Sequence, residues 1–120
     1  MDRTIDVPKI NAAIRAFVQE REWEPFHTPK NLAMALAAEA GELMELFQWL
    51  TENESRQIMT EEKSAQRVRE ELADIFVYLL RVADVLDVDL QSAVEAKMRL
   101  NAEKYPVALS KGHARKYTEL

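Results

Sequence analysis

Apolar residues recur at helical spacing in four stretches of this chain, and no stretch alternates with the period of two that marks a strand. Asp6 is a plausible N-cap and Pro8 an early-turn residue for a first helix reaching about Arg21. Two prolines then break the periodicity within Trp23-Glu24-Pro25-Phe26-His27-Thr28-Pro29. Thr28 followed by Pro29 predicts the start of a second helix, running to about Leu50. That helix is apolar almost all round (Leu32, Met34, Leu36, Leu43, Met44, Leu46, Phe47, Trp49, Leu50), so a central, buried position is expected. Thr51 to Met59 is polar and predicts a loop with some helical turn. Thr60 is placed to cap a third helix, with Glu61 and Glu62 at its positive end. Leu72, Ile75, Phe76, Leu79, Val82 and Ala83 carry that helix to about Leu86. Asp89 caps a short fourth helix with Leu90, Val94, Met98 and Leu100, which must stop before Pro106. The expectation is an all-α, four-helix bundle-like domain over residues 1–106. The 107–120 tail lacks a clear pattern and is expected to be mobile or to pack on a second subunit.

Composition agrees with this picture. The 120 residues suit one domain with a single core, and only two glycines and four prolines interrupt a helix-favouring mixture. There is no cysteine, which excludes a disulfide framework, a thiolate metal site and a thiol nucleophile. The N-terminus has no apolar core of signal-peptide type. The longest apolar run, Leu32 to Ala38, falls far short of the roughly 20 residues that span a bilayer. A cytoplasmic protein without membrane association is the default expectation. A net charge of −5 argues against a nucleic-acid polymer as partner. The charge is uneven, however: residues from Lys97 onward carry +4, leaving −9 on the remainder. A basic end segment of this kind suits either a phosphate-reading element or a solvated final helix and tail.

Acidic pairs are the candidate chemistry. Four occur at i, i+3: Glu39–Glu42, Glu42–Glu45, Glu71–Asp74 and Asp84–Asp87. Random placement gives roughly three to four in so acidic a chain, so spacing alone selects none of them. Setting does. Glu39 with Glu42, and Glu71 with Asp74, lie inside otherwise apolar helices, where an ionised carboxylate needs a partner, a proton or a metal. No Lys or Arg falls between Asn31 and Leu50 to neutralise the first pair. Arg67 and Arg81 are spaced to serve the second. Three arrangements stay open: a cage for Mg²⁺ or Mn²⁺, which prefer oxygen ligands, salt bridges between helices, and plain surface exposure.

Aromatic residues share these faces. Trp49 lies two turns beyond Glu42, and Tyr78 one turn beyond Asp74. Trp23, Phe26 and His27 come from the loop leading into the second helix. Rings beside a cation cage suit a nucleobase attached to metal-bound phosphates, although each aromatic taken singly also fits an ordinary core. His27 fits a capping or hydrogen-bonding loop residue more readily than a catalytic base, and His113 carries no functional signal.

Together these residues resemble a known family. Trp23-Glu24-x-Phe26-His27-x-Pro29-x-Asn31-Leu32, Glu39-Ala40-Gly41-Glu42-Leu43, Glu45-Leu46-Phe47-Gln48-Trp49, Glu71-Leu72-Ala73-Asp74, Lys97-Met98 and Lys104-Tyr105-Pro106 are similar to the MazG-like all-α nucleoside triphosphate pyrophosphohydrolases, nearest the dCTP pyrophosphatase branch. The likeness covers roughly residues 5–106. It implies Mg²⁺-dependent hydrolysis of a (deoxy)nucleoside triphosphate to the monophosphate and pyrophosphate, in nucleotide-pool house-cleaning. It implies Glu39, Glu42, Glu71 and Asp74 as metal ligands. Trp23, Trp49 and Tyr78 would form a base and sugar pocket, with His27 and Asn31 at its rim. Lys97, Asn101, Tyr105 and, less directly, Lys104 would reach the phosphates. A homodimer or homotetramer is implied as well. One departure stands out: animal members of the branch carry a histidine where Ile14 falls, which questions a strict cytosine preference.

The charge balance suggests a mechanism. About four negative charges on a triphosphate would be repelled by four carboxylates without an intervening divalent cation. Glu42, Glu71 and Asp74 are the candidate catalytic residues, with Glu42 the expected acceptor of the attacking water's proton. The rival expectation is a non-catalytic helical oligomerisation or nucleotide-binding module whose acidic pairs are structural.

Overall fold

The computed structural model describes residues 3–120; Met1 and Asp2, which the sequence reading included in the domain and its N-terminus, lie outside them. The described residues are helical with no strand. They divide into two compact units, one ending at Asp87 and the other starting at Val88. The fourth expected helix and the 107–120 tail both belong to the second unit.

In the first unit, α1 (Val7–Glu20) begins where expected: the Asp6 side chain accepts from the Lys9 amide, with Pro8 in the first turn. After Arg21 the chain turns through Glu22, whose φ of 54° lies in the left-handed region. This lets the Trp23 amide donate to the Val18 carbonyl, closing the helix end. A 3₁₀ turn (Glu24–Phe26) leads to α2 (Pro29–Phe47), capped by Thr28 Oγ1 accepting from the Asn31 amide. α2 ends three residues before the expected Leu50, so Trp49 is not on its stripe.

The expected loop holds a short helix, α3 (Glu52–Arg56). Thr51 and Glu54 cap each other's amides reciprocally, and this Thr-x-x-Glu signature was legible in the sequence. A 3₁₀ turn (Ile58–Thr60) takes up Thr60, so Glu61, not Thr60, precedes α4 (Glu62–Val85).

α4 is the spine of this unit. α2 and α1 both pack against it, and the core comprises Val18 from α1, Leu32 from α2, and Ala65, Val68, Leu80 and Ala83 from α4. α2 is not buried all round, contrary to expectation. One face packs on α4, while Met34 and Met44 on the remainder are each 61% exposed. Leu36, Leu43, Leu46 and Phe47 are half-buried.

In the second unit, α5 (Leu90–Lys104) is capped by Asp89 accepting from the Ser92 amide and hydroxyl. The tail has some order of its own: α6 (Val107–Ser110) and a 3₁₀ turn (Tyr117–Glu119). The Tyr105 and Tyr117 rings meet edge to face at 6.1 Å, and the Lys104 ammonium sits 4.9 Å from the Tyr117 ring centroid.

Candidate functional site

α2 and α4 bring three of the four expected acids together. One carboxylate oxygen from each of Glu39, Glu42 and Glu71 lies within 4.8 Å of the other two. Glu39 and Glu71 are half-buried, and in each Oε2 is fully buried with no hydrogen-bond partner. An unpaired buried carboxylate oxygen is costly, and so close a group of acids raises the cost further. Burial, then the adjacent Glu42 and Glu71 carboxyls, push Glu39 up from 4.5 to about 7. Glu71 is raised too, by burial first and then by the charges of Glu42 and Asp74, with the neighbouring Glu39 carboxyl acting the other way. No ion pair engages Glu39, Glu42, Glu71 or Asp74 among the described residues.

Asp74 plays a different geometric part. It lies one turn beyond Glu71 on α4, outside the three-acid group, and lines a neighbouring cavity of about 570 Å³. Its charge nevertheless acts on both Glu39 and Glu71. The acid cluster and the cavity therefore adjoin through Asp74. The volume lies within the range of small-molecule sites.

Trp23, His27 and Tyr78 line the cavity together with Ile10, Ile14, Phe17, Val77 and Arg81. Trp23 packs edge to face on Phe17 at 5.7 Å and tilts over His27 at 6.3 Å. Asn31 does not line the cavity; its Nδ2 donates to the Phe26 carbonyl at 3.0 Å, tying the Trp23–His27 loop to the start of α2. Trp49 does not line it either, being 87% exposed beyond the end of α2. Lys97, Asn101, Lys104 and Tyr105 all belong to the second unit, on α5 and its C-cap.

The sequence did not show how Arg15, Arg81 and Asp84 are joined in this region. Arg81, spaced to serve Glu71 and Asp74, instead donates from Nε to His27 Nδ1 at 3.1 Å and from Nη1 to Asp84 Oδ2 at 3.4 Å. Asp84 also accepts from Arg15 Nε at 2.8 Å, with Arg15 Nη2 on its other oxygen. The available signal was a charge inside the apolar stripe of α4: Arg81 follows Leu80 and is itself buried.

The MazG-like family model matches residues 34–120, more than half of the sequence and all four expected acids. The chain belongs to the MazG-like family. This MazG-like chain is 44% identical over 115 residues to dCTP pyrophosphatase 1 of Rattus norvegicus. It is 43% identical over the same length to dCTP pyrophosphatase 1 of Homo sapiens. Both alignments cover 96% of this chain and 66% of the relative, so the chain spans just under two thirds of these relatives' length. The crystal structure of a pyrophosphatase from Archaeoglobus fulgidus superposes with a TM-score of 0.78 at 36% identity, covering 88% of this chain and 97% of that one. The all-α, MazG-type fold follows from these matches together. Among the described residues no helix is long and apolar enough to cross a membrane.

Proposed function

We propose that this protein is an enzyme, a nucleoside triphosphate pyrophosphohydrolase that converts a (deoxy)nucleoside triphosphate to the monophosphate and pyrophosphate. The observation that carries the reading is the pair of buried, unpartnered Oε2 atoms on Glu39 and Glu71, beside an aromatic-lined cavity. Carboxylates so arranged fit a hard divalent cation: oxygen donors only, several negative charges, and lone pairs with no competing donor. Glu39, Glu42 and Glu71 would hold Mg²⁺, or Mn²⁺, with Asp74 as the fourth acid. Such a cation would offset the triphosphate's charge, polarise the α-phosphoryl group and acidify a water.

The chain's own residues do the rest. Water attacks the α-phosphorus, the bond to the bridging oxygen breaks, and pyrophosphate leaves. Glu42, the exposed member of the cluster, accepts the water's proton. Glu71, and Asp74 from the cavity wall, would hold the divalent cation that offsets the phosphate's charge. Trp23 and Tyr78 supply ring faces for the nucleoside.

The substrate proposed is dCTP or a modified deoxynucleotide, in cytoplasmic nucleotide-pool house-cleaning. The relatives named for dCTP support the first. Ile14 lines the cavity, and because the family resemblance implies a histidine at this position in animal members, it favours a broader base preference. A homodimer or homotetramer is proposed as the working form. In support, Met34, Met44 and Leu72 are each more than half exposed in the single chain.

The test is a panel of canonical and modified ribo- and deoxynucleoside triphosphates with Mg²⁺, followed for monophosphate and pyrophosphate. Release of pyrophosphate from at least one, lost with EDTA, is the expected result. A diphosphate with inorganic phosphate, or no product from any nucleotide, would falsify it.

A further inference from the structure

We propose that Arg81, held in turn by Asp84 and Arg15, is a positioning residue that fixes His27 as an Nε2–H donor in the cavity wall, where it meets an acceptor atom on the nucleoside half of the substrate. The substrate part of this inference rests on the function proposed above; the positioning part does not.

A guanidinium can only donate. Arg81 Nε approaches His27 Nδ1 at 3.1 Å, so that ring nitrogen must be an acceptor without a proton. In a neutral imidazole the proton then resides on Nε2. Both protons at once would set Nδ1–H against the guanidinium. The surroundings agree, since burial and the Arg81 charge both lower the His27 pKa, against a smaller opposing effect of Glu24.

Arg81 is itself constrained. It is buried, and its Nη1 is tied to Asp84, which Arg15 grips through both carboxylate oxygens from α1. The chain of contacts therefore links α1, α4 and the loop before α2, the three elements that wall the cavity. His27 and Arg81 both line that cavity. One tautomer presents a donor there and the other an acceptor, so fixing the tautomer selects which ligand atoms are welcome. Arg81→Lys is not conservative for this purpose. An ammonium keeps the charge but lacks the planar fork that reaches His27 and Asp84 together.

The experiment is ¹⁵N–¹H correlation of the imidazole rings in the full chain, at neutral pH and without nucleotide. There are only two histidines, and His27→Gln assigns the signals. The expected wild-type pattern is an unprotonated Nδ1 and a protonated Nε2 on His27. Arg81→Lys and Asp84→Asn, two variants in case one folds poorly, should each give a mixture of tautomers. In turnover, each should raise KM for the preferred nucleotide about tenfold, the loss of roughly one hydrogen bond, while kcat falls less.

A wild-type His27 protonated on Nδ1, or a tautomer unmoved in both variants, overturns the positioning. A changed tautomer with unchanged KM overturns the role in substrate selection. If no nucleotide is turned over by the wild type, the proposed function fails, while the ring signals still decide the positioning.

Discussion

Glu39 on α2 and Glu71 on α4 meet in one cluster of carboxylates, and each keeps a buried Oε2 without a hydrogen-bond partner. In the metal-free protein this pair works against folding. Glu71→Gln should therefore raise the thermal midpoint of metal-free protein by a few degrees, since an amide removes one of the repelling charges. The same substitution should lower pyrophosphate release by about 100-fold or more. A structural ion pair behaves in the opposite way, its loss costing about 3–5 kcal/mol. Calorimetry of the variant beside its activity distinguishes the two, and a large drop in midpoint sinks the cage reading.

Divalent cation should reverse the strain. A ligand that binds only the folded state stabilises by about 2.7 kcal/mol at 100 times its dissociation constant. Titrating Mg²⁺ or Mn²⁺ into metal-free protein should thus raise the midpoint progressively, and Glu39→Gln should blunt the rise. A midpoint indifferent to both metals in the wild type counts against Glu39, Glu42 and Glu71 as ligands.

Two pH effects of opposite sign follow from the carboxylates. Glu39 lies higher folded, about 7, than its ordinary 4.5, so the folded state holds the extra proton between those values. Its contribution is most favourable below 4.5 and is lost as pH rises through about 7. Asp84 is held below its ordinary 3.8, first by the Arg15 hydrogen bond. Its contribution is present above 3.8 and is lost as pH falls through the lowered value. Metal-free protein should therefore have a stability maximum on the acid side of neutrality, by urea unfolding from about pH 2 to about pH 8.5. Glu39→Gln should flatten the alkaline limb and leave the acid limb in place.

Glu22 adopts a left-handed backbone, φ 54°, where it ends α1 and directs the chain to Trp23. A side chain there costs about 1–2 kcal/mol, offset in part by the greater unfolded freedom of glycine. Glu22→Gly should therefore stabilise by up to about 1 kcal/mol in denaturant titration. A loss of stability instead shows that the Glu22 side chain contributes something its backbone does not reveal.

The helices were legible because their signals are local. Asp6, Thr28 and Asp89 each accept from an amide three residues on, within reach of any chain that starts a helix there. The end of α2 was not legible. Apolar residues continue through Trp49 and Leu50, yet the Thr51–Glu54 capping box opens a new helix and the chain must turn before it.

Residue types and their periodicity determined by themselves that the chain was all-helical, and they singled out Glu39, Glu42, Glu71 and Asp74 as acids in apolar helices, of which the structure half-buries Glu39 and Glu71. Only the tertiary structure decided how those acids divide. Three converge, while Asp74 turns to the cavity, because the crossing of α2 on α4 sets which carboxylates meet. The same holds for Arg81. Spacing along one helix paired it with acids on its own stripe, whereas folding brought His27 from a distant loop and Arg15, through Asp84, from α1. Caps and periodicity act within a turn or two of chain, but the partner of a buried charge is whatever the packing of separate elements places beside it.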